Sequence, residues 1–338
     1  MREKEILSER LNSHGLLMKK ANVLDVLRQT IGIQAQAQRE AELNLALRSQ
    51  DLSLTELSKL YEEGKIVRSW ANRWTLHLLT YEDWELLINA RQNESLPNSY
   101  FLGEKELALA VITFLTDLLK VRKSLTKSEI EALISQDFPN FNLKSYLLQA
   151  VLQTMMQQGI CYFDAGISSR AYRLVFAEHF QRTTAERAIE LLIQRYMTGF
   201  APAILEDFIK WSGLKISIVR PIWQKIIFDS SVKNIESTGG KTFIAARFDS
   251  LLTGYADKTW LTSQDKIPEM WSKNGILMAP IIFDNQLVGK WHYKISAKKI
   301  TFTVEHWLPL NQSQIEEKLS DIAHFLEKKM QTIIYKQI

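Results

Sequence analysis

A repeated order of elements constrains this chain more than any single motif. Three times in succession, apolar residues at helical spacing give way to two short strand-like runs around a turn. In the first pass, Ile6 to Leu11, Val23 to Ile31 and Glu40 to Arg48 carry the helical spacing. Ser53-Leu54-Thr55-Glu56 has the form of a capping box, opening a helix that is expected to close near Gly64. Lys65 to Trp70 and Thr75 to Leu79 then read as strands around Ala71-Asn72-Arg73. In the second pass, a long amphipathic helix spans Glu104 to Val121, and Thr126-Lys127-Ser128-Glu129 forms another capping box with a helix to Ile134. Asn142 to Gln158 follows as a helix closed by Gly159, and Ile160 to Phe163 with Tyr172 to Val175 make a hairpin. The third pass has helices over Ala185 to Met197, Pro202 to Trp211 and Ile216 to Ile227, the last kinked or delayed by Pro221. Its strands are Val232 to Ile235 and Lys241 to Arg247, joined at Gly239-Gly240.

Helices followed by a two-stranded hairpin make a winged helix. The spacing therefore predicts a mainly α chain with β, built from three tandem winged-helix units over 1–100, 101–182 and 183–250. From Leu251 the texture changes, and 251–338 reads as a β-rich region. Ile276 to Phe283 and Leu287 to Tyr293 form a hairpin around the polar turn Asp284-Asn285-Gln286, and Lys299 to His306 is a further strand. An amphipathic helix from Gln312 to about Ile333 closes the chain.

Composition narrows the function classes. The 338 residues are 46% hydrophobic and 24% charged, ordinary for a folded chain, which excludes wholesale disorder and fibrous repeats. The single cysteine, Cys161, cannot form an internal disulfide and fits a reducing compartment. No apolar run reaches the roughly 18 residues of a membrane helix, and Met1 to Glu5 is too charged for a signal peptide. A soluble, cytoplasmic protein without a membrane partner is expected. The net charge of +4 permits a nucleic-acid partner without demanding one.

Strong catalytic signatures are absent from the sequence. There is no phosphate-binding glycine loop, no paired histidine on a helix face and no metal-spaced Cys/His cluster, so neither a metal nor a cofactor is expected. One stretch is unusual: in Ile33-Gln34-Ala35-Gln36-Ala37-Gln38, three glutamines alternate with small apolar residues. On an extended backbone all three project to one side. On a helix Gln34 and Gln38 share a face and Gln36 points away. A glutamine amide is no general base, but it can hold a water or grip a base edge. From composition alone the stretch reads as a polar helix end.

Ile31-Gly32-Ile33-Gln34-Ala35-Gln36, then Ile66 to Trp70 and Arg73-Trp74-Thr75-Leu76-His77-Leu78, resemble the bacterial winged-helix DNA-binding family that contains the interstrand-crosslink DNA glycosylases. Tyr196 to Pro202 with Asp207-Phe208 and Trp211 to Leu214 resemble its central block. Phe248 to Tyr255, Gly275 to Pro280 and Gly289-Lys290-Trp291 resemble its C-terminal block. The resemblance runs from about residue 5 to about residue 310, carried by order and spacing together.

That resemblance implies a C-shaped scaffold and a monomeric repair enzyme. The enzyme would act on double-stranded DNA carrying N7- or N3-alkylated purines, with interstrand crosslinks as further substrates. It also implies that Gln34 and Gln36, matching a Gln-aliphatic-Gln motif, serve catalysis. A related branch ends that motif in Asp, which this chain lacks. The hairpin at about Ile281 to Tyr293 would approach the duplex. Two departures stand out. Trp74 occupies the glycine position of an Arg-Gly-Thr, and Arg247 stands where a proline precedes Phe248.

Candidate DNA contacts are Arg39, Arg68, Arg73, Thr75, His77, Lys290, His292 and Lys294, with Arg48, Lys298 and Lys299 as further phosphate partners. The alternative is a non-catalytic winged-helix regulator, or a member that has lost its activity. A groove-reading helix is rich in Arg, Lys, Asn or Gln, whereas Leu54 to Glu63 carries Glu56, Glu62 and Glu63 against Lys59. The helix before the second hairpin has Lys144 as its only charge. Only Lys215 to Lys225 in the third unit is basic, so the winged helices read as scaffold, which favours the glycosylase.

Overall fold

The computed structural model describes residues 3–166, 171–228, 238–272 and 274–338. They form a mixed α/β chain with two sheets, divided into two compact units: residues 1–57 with 193–338, and residues 58–192. Among the described residues no helix is long and apolar enough to cross a membrane.

In the unit of residues 58–192, five strands lie in the order Leu76–Thr80, Ile66–Trp70, Cys161–Asp164, Arg173–Phe176, Ser124–Thr126, each antiparallel to its neighbour. The two expected hairpins are both present. They are not separate wings: Val67 pairs with Asp164 and Arg68 with Phe163, which merges them into one sheet. Helices Lys105–Arg122, Lys127–Asp137 and Leu147–Gln157 pack around a core that includes Val111, Leu115, Leu119, Val151 and Met155. The capping box at Thr126 forms as the sequence predicts. Its hydroxyl accepts the Glu129 N–H at 3.3 Å, and the Glu129 carboxylate accepts the Thr126 N–H at 2.7 Å. The helix expected from Asn142 starts only at Leu147, because the Asn142 side chain accepts the Lys144 N–H at 3.0 Å and holds a turn.

In the other unit, five strands run in the order Lys329–Gln337, Lys299–His306, Gln286–Ser296, Ala279–Phe283, Thr242–Ile244. The turn Asp284-Asn285 has positive φ at both residues, 48° and 62°, the geometry that two-residue hairpins require. Gly289 sits where a β-carbon would collide with the Glu305 carbonyl of the neighbouring strand. Gly199 answers a similar need on helix Ala185–Phe200, where a β-carbon would strike the Gln29 carbonyl at the end of helix Val23–Thr30.

Three expectations are corrected here. The last helix stops at Phe325, and Lys329–Gln337 is an edge strand parallel to Lys299–His306. The chain reverses at Glu327, whose φ is 54°, and the run Thr332-Ile333-Ile334-Tyr335 has the β-branched and aromatic character of a strand. Helix Gln312–Phe325 thereby becomes the crossover that a parallel pair needs. Next, the strand around Lys241 shortens to Thr242–Ile244 and pairs with Ala279–Phe283, so it belongs to the C-terminal sheet; its expected partner, Val232 to Ile235, lies outside the described residues. Finally, the hairpin of Ile281 to Tyr293 is not a free contact device. Ile281, Ile282, Leu287, Val288 and Trp291 are all buried, so this hairpin is the centre of the sheet.

Candidate active site

The glutamine stretch is neither all helix nor all loop. Helix Val23–Thr30 ends at Ile31 and Gly32, both with positive φ (50° and 82°), and the chain turns into an extended Ile33–Gln34. Ile33 and Ala35 face the core at 1% and 0% exposure, so Gln34 and Gln36 project to the other side. Gln36 is exposed. Gln34 is half-buried, and its side-chain carbonyl oxygen is shut from solvent without a hydrogen bond among the described residues. Gln38 is different: it starts helix Gln38–Ala46 and donates to Glu42 at 3.1 Å. The stretch thus divides into an outward pair and a helix-bound third member.

Helix Gln38–Ala46 is anchored by buried polar residues that are not among the expected site residues. Glu40 and Asn44 are buried on one face, and Arg48 continues their spacing one turn further. The Glu40 carboxylate accepts the Arg247 backbone N–H at 3.2 Å and the Tyr293 hydroxyl at 3.1 Å. Burial raises the Glu40 carboxyl above its ordinary value, against the opposing pull of these two hydrogen bonds and of Arg247 and Arg39. Burial also raises the Tyr293 phenol, and the nearby Glu40 charge adds to that. Asn44 uses both ends of its amide, accepting the Ala246 N–H at 2.8 Å and donating to the Arg247 carbonyl at 3.1 Å. The signal available in the sequence was the spacing: Glu40, Asn44 and Arg48 at i, i+4 and i+8 among Ala41, Leu43 and Leu45.

Arg48, expected as a phosphate contact, is fully buried. It donates to the His14 carbonyl at 2.7 Å and to Asp249 at 2.8 Å, and so pins structure instead. Lys290 is likewise engaged, 2.7 Å from Glu269 and 3.7 Å from Glu305. His292 and Lys294 are exposed, on the strand face opposite Trp291 and Tyr293. Arg39, Lys298 and Lys299 are also exposed.

In the unit of residues 58–192 the expected contacts are largely closed off. Arg68 is 2% exposed, with its guanidinium 6.0 Å from the Phe163 ring, and burial lowers its pKa. His77 is buried, its Nδ1–H donating to the Thr75 carbonyl at 2.8 Å, and desolvation pushes its pKa down to about 4. It is therefore neutral near pH 7 and carries no charge for a phosphate. Arg68 and His77 are thus corrected from DNA contacts to interior residues. Arg73 and Thr75 are half-buried; the Thr75 hydroxyl donates to the Asn72 carbonyl at 3.0 Å, and burial lowers the Arg73 pKa, with the Arg91 charge adding to it.

Trp74 has φ of 52°, a conformation natural to the glycine that the resemblance expects there. Its indole N–H donates to Glu94 at 2.7 Å while the Arg91 guanidinium lies 4.8 Å from the ring centre. The tryptophan is therefore fixed in place rather than free to swing over a ligand.

Among the described residues no group of His, Cys, Asp or Glu could hold a metal ion. The sequence model of the family described as DNA glycosylase AlkZ-like matches residues 27–325. Among solved structures, the Streptomyces sahachiroi DNA glycosylase AlkZ has a similar fold, with a TM-score of 0.79 at 17% identity over 99% of each chain. No curated protein sequence matches the chain.

Proposed function

The chain belongs to the AlkZ-like DNA glycosylase family, and we propose that this repair glycosylase releases N7- and N3-alkylated purines by hydrolysis, with Gln34 and Gln36 as its catalytic pair. The observation that carries the reading is the Gln34–Gln36 pair itself, set side by side on an extended segment whose Ile33 and Ala35 are held in the core, with the buried Gln34 carbonyl oxygen meeting no protein donor among the described residues. A buried acceptor left unpaired costs stability unless a water or ligand group meets it in the working complex.

The chemistry suits amides. Alkylation at a ring nitrogen makes the purine cationic, so when the C1′–N bond breaks the electron pair leaves with a base that needs no added proton. Positive charge develops on the sugar, and carbonyl dipoles aimed at it lower the barrier. Water then adds at C1′ and loses its extra proton to bulk solvent, leaving an abasic site. A neutral base would need a stronger acid than glutamine supplies.

We read the enzyme as a cytoplasmic monomer on double-stranded DNA, with exposed Arg39, His292 and Lys294 among its contacts and interstrand crosslinks among its substrates. The arrangement of strand Ser124–Thr126, helices Lys127–Asp137 and Leu147–Gln157 and strands Cys161–Asp164 and Arg173–Phe176 supports reading 101–182 as one winged-helix unit. The divisions 1–100, 183–250 and 251–338 would need redrawing, because Thr242–Ile244 joins the C-terminal sheet and residues 58–100 lie in the same compact unit as 101–182.

Duplexes carrying a single N7-methylguanine or N3-methyladenine test it. Free base should appear while the strand stays whole until alkali cleaves the abasic site. Binding without release of either base would favour the non-catalytic alternative.

A further inference from the structure

The turn bearing Gln34 and Gln36 runs directly into helix Gln38–Ala46, and the start of that helix is held in an unusual way. Its N-cap residue, Ala37, has an extended backbone and no side chain to cap the helix. Glu40 occupies the third helical position, from which a carboxylate commonly folds back onto its own N-cap amide. Here it reaches outward instead, to the Arg247 N–H and the Tyr293 hydroxyl. A proline at 247, as the family resemblance expects, would have no N–H to offer. The arginine in its place completes the attachment.

We propose that Glu40 is a positioning residue for the glutamine pair, its carboxylate clamping the first turn of helix Gln38–Ala46 to strand Gln286–Ser296 through Tyr293 and to residues 245–249 through the Arg247 amide. Its kinetic consequence rests on the glycosylase reading of Gln34 and Gln36; the clamp itself does not. Gln36 lies two residues before the helix begins, so a shift of the first turn moves it directly. A displacement of about 1 Å at a reacting centre can cost roughly a hundredfold in rate.

The clamp is strongest with an ionised carboxylate, whose two charged oxygens accept both hydrogen bonds; a proton on Glu40 leaves one carbonyl oxygen for the Arg247 N–H and reduces both bonds to contacts between neutral groups. The charged or titratable groups facing Glu40 are Arg39 on its own helix, Arg247 on the 245–249 segment and Tyr293 on the strand. Activity should therefore fall on the acid side as Glu40 takes up its proton, at a pH above the ordinary carboxylate value because burial outweighs those partners.

The test uses the full chain with Tyr293→Phe, which removes only the hydroxyl, and Glu40→Gln, which removes the charge and so weakens both bonds while keeping the shape. Backbone amides of residues 33–38 should exchange with deuterium about tenfold faster in both variants, while the thermal midpoint barely moves. Single-turnover release of N7-methylguanine should slow roughly tenfold to a hundredfold, with affinity for undamaged duplex unchanged. The acid limb of the wild-type rate profile should be missing from Glu40→Gln. Gln38→Ala serves as the control, with wild-type exchange at 33–37 and wild-type rate.

Unchanged exchange of the segment in both variants overturns the clamp. Faster exchange with an unchanged rate and an unchanged acid limb overturns the positioning role. A wild type that releases no base defeats the glycosylase reading alone, and the exchange measurement still decides whether Glu40 holds the segment.

Discussion

Arg48 and Arg68 make an instructive pair, one from each unit. Both are closed to solvent, at 0% and 2% exposure, and both read from sequence as hands for a phosphate. In the first, the guanidinium lies among acceptors: the His14 and Asn44 carbonyls and the Asp249 carboxylate, which itself caps the turn at Leu251. In the second, the guanidinium lies 6.0 Å from the centre of the Phe163 ring with the Tyr61 phenol acting on its charge, and among the described residues Nε has no hydrogen-bond partner. Burial of an arginine thus has two meanings here. In the unit of residues 1–57 and 193–338 it closes a charge network that fixes the chain around Asp249. In the unit of 58–192 it leaves a charge desolvated, with its stem packed in the sheet.

The difference can be broken by the same substitution at both sites. Arg48→Met strands the Asp249 carboxylate in the interior and should cost about 3–5 kcal/mol of stability in urea denaturation. Arg68→Met removes a desolvated charge, keeps an apolar stem of similar length, and should change stability by less than about 1 kcal/mol. Equal losses at the two sites would erase the distinction between a compensated and an uncompensated arginine.

Between those two in size is an acid effect from His77. The folded imidazole titrates at about 4 against an ordinary 6.5, so the unfolded chain takes up its proton first as pH falls. Stability from this group is complete above pH 6.5 and is lost as pH drops towards 4. Between about pH 7 and pH 5 it should account for about 2 kcal/mol of the decline. His77→Asn should flatten the stability profile over that interval. His14 is also held below its ordinary value by burial, with Arg48 and Arg10 adding to it, so the variant should retain part of the slope. A variant profile parallel to wild type would mean that His77 is not kept neutral by the fold.

The same contrast explains what the sequence could reveal. Turn chemistry is local, so the Thr126–Glu129 capping box and the Asp284–Asn285 hairpin could be placed from their residues alone. The alternation of Gln34 and Gln36 with Ile33 and Ala35 was equally visible, and only the choice between helix and extended chain needed the structure. Burial is not local. Nothing in Arg48, Arg68 or Lys290 as residues distinguishes a solvated cation from one facing Asp249, Phe163 or Glu269. Strand Lys329–Gln337 was missed for a related reason. A helical period carried past Phe325 looks continuous until the reversal at Glu327 and the parallel partner at Lys299–His306 are known.

The central claim is that the outward glutamine pair does the chemistry, and single-turnover base release measures it most directly. With an N7-methylguanine duplex and enzyme in excess, Gln34→Ala and Gln36→Ala should each slow release by roughly tenfold to a thousandfold. Their combined effect should be less than additive if both amides act on the same water and sugar. Thermal stability and affinity for undamaged duplex should stay near wild type, because neither side chain is an anchor of the fold. Wild-type rates in both variants would contradict the account.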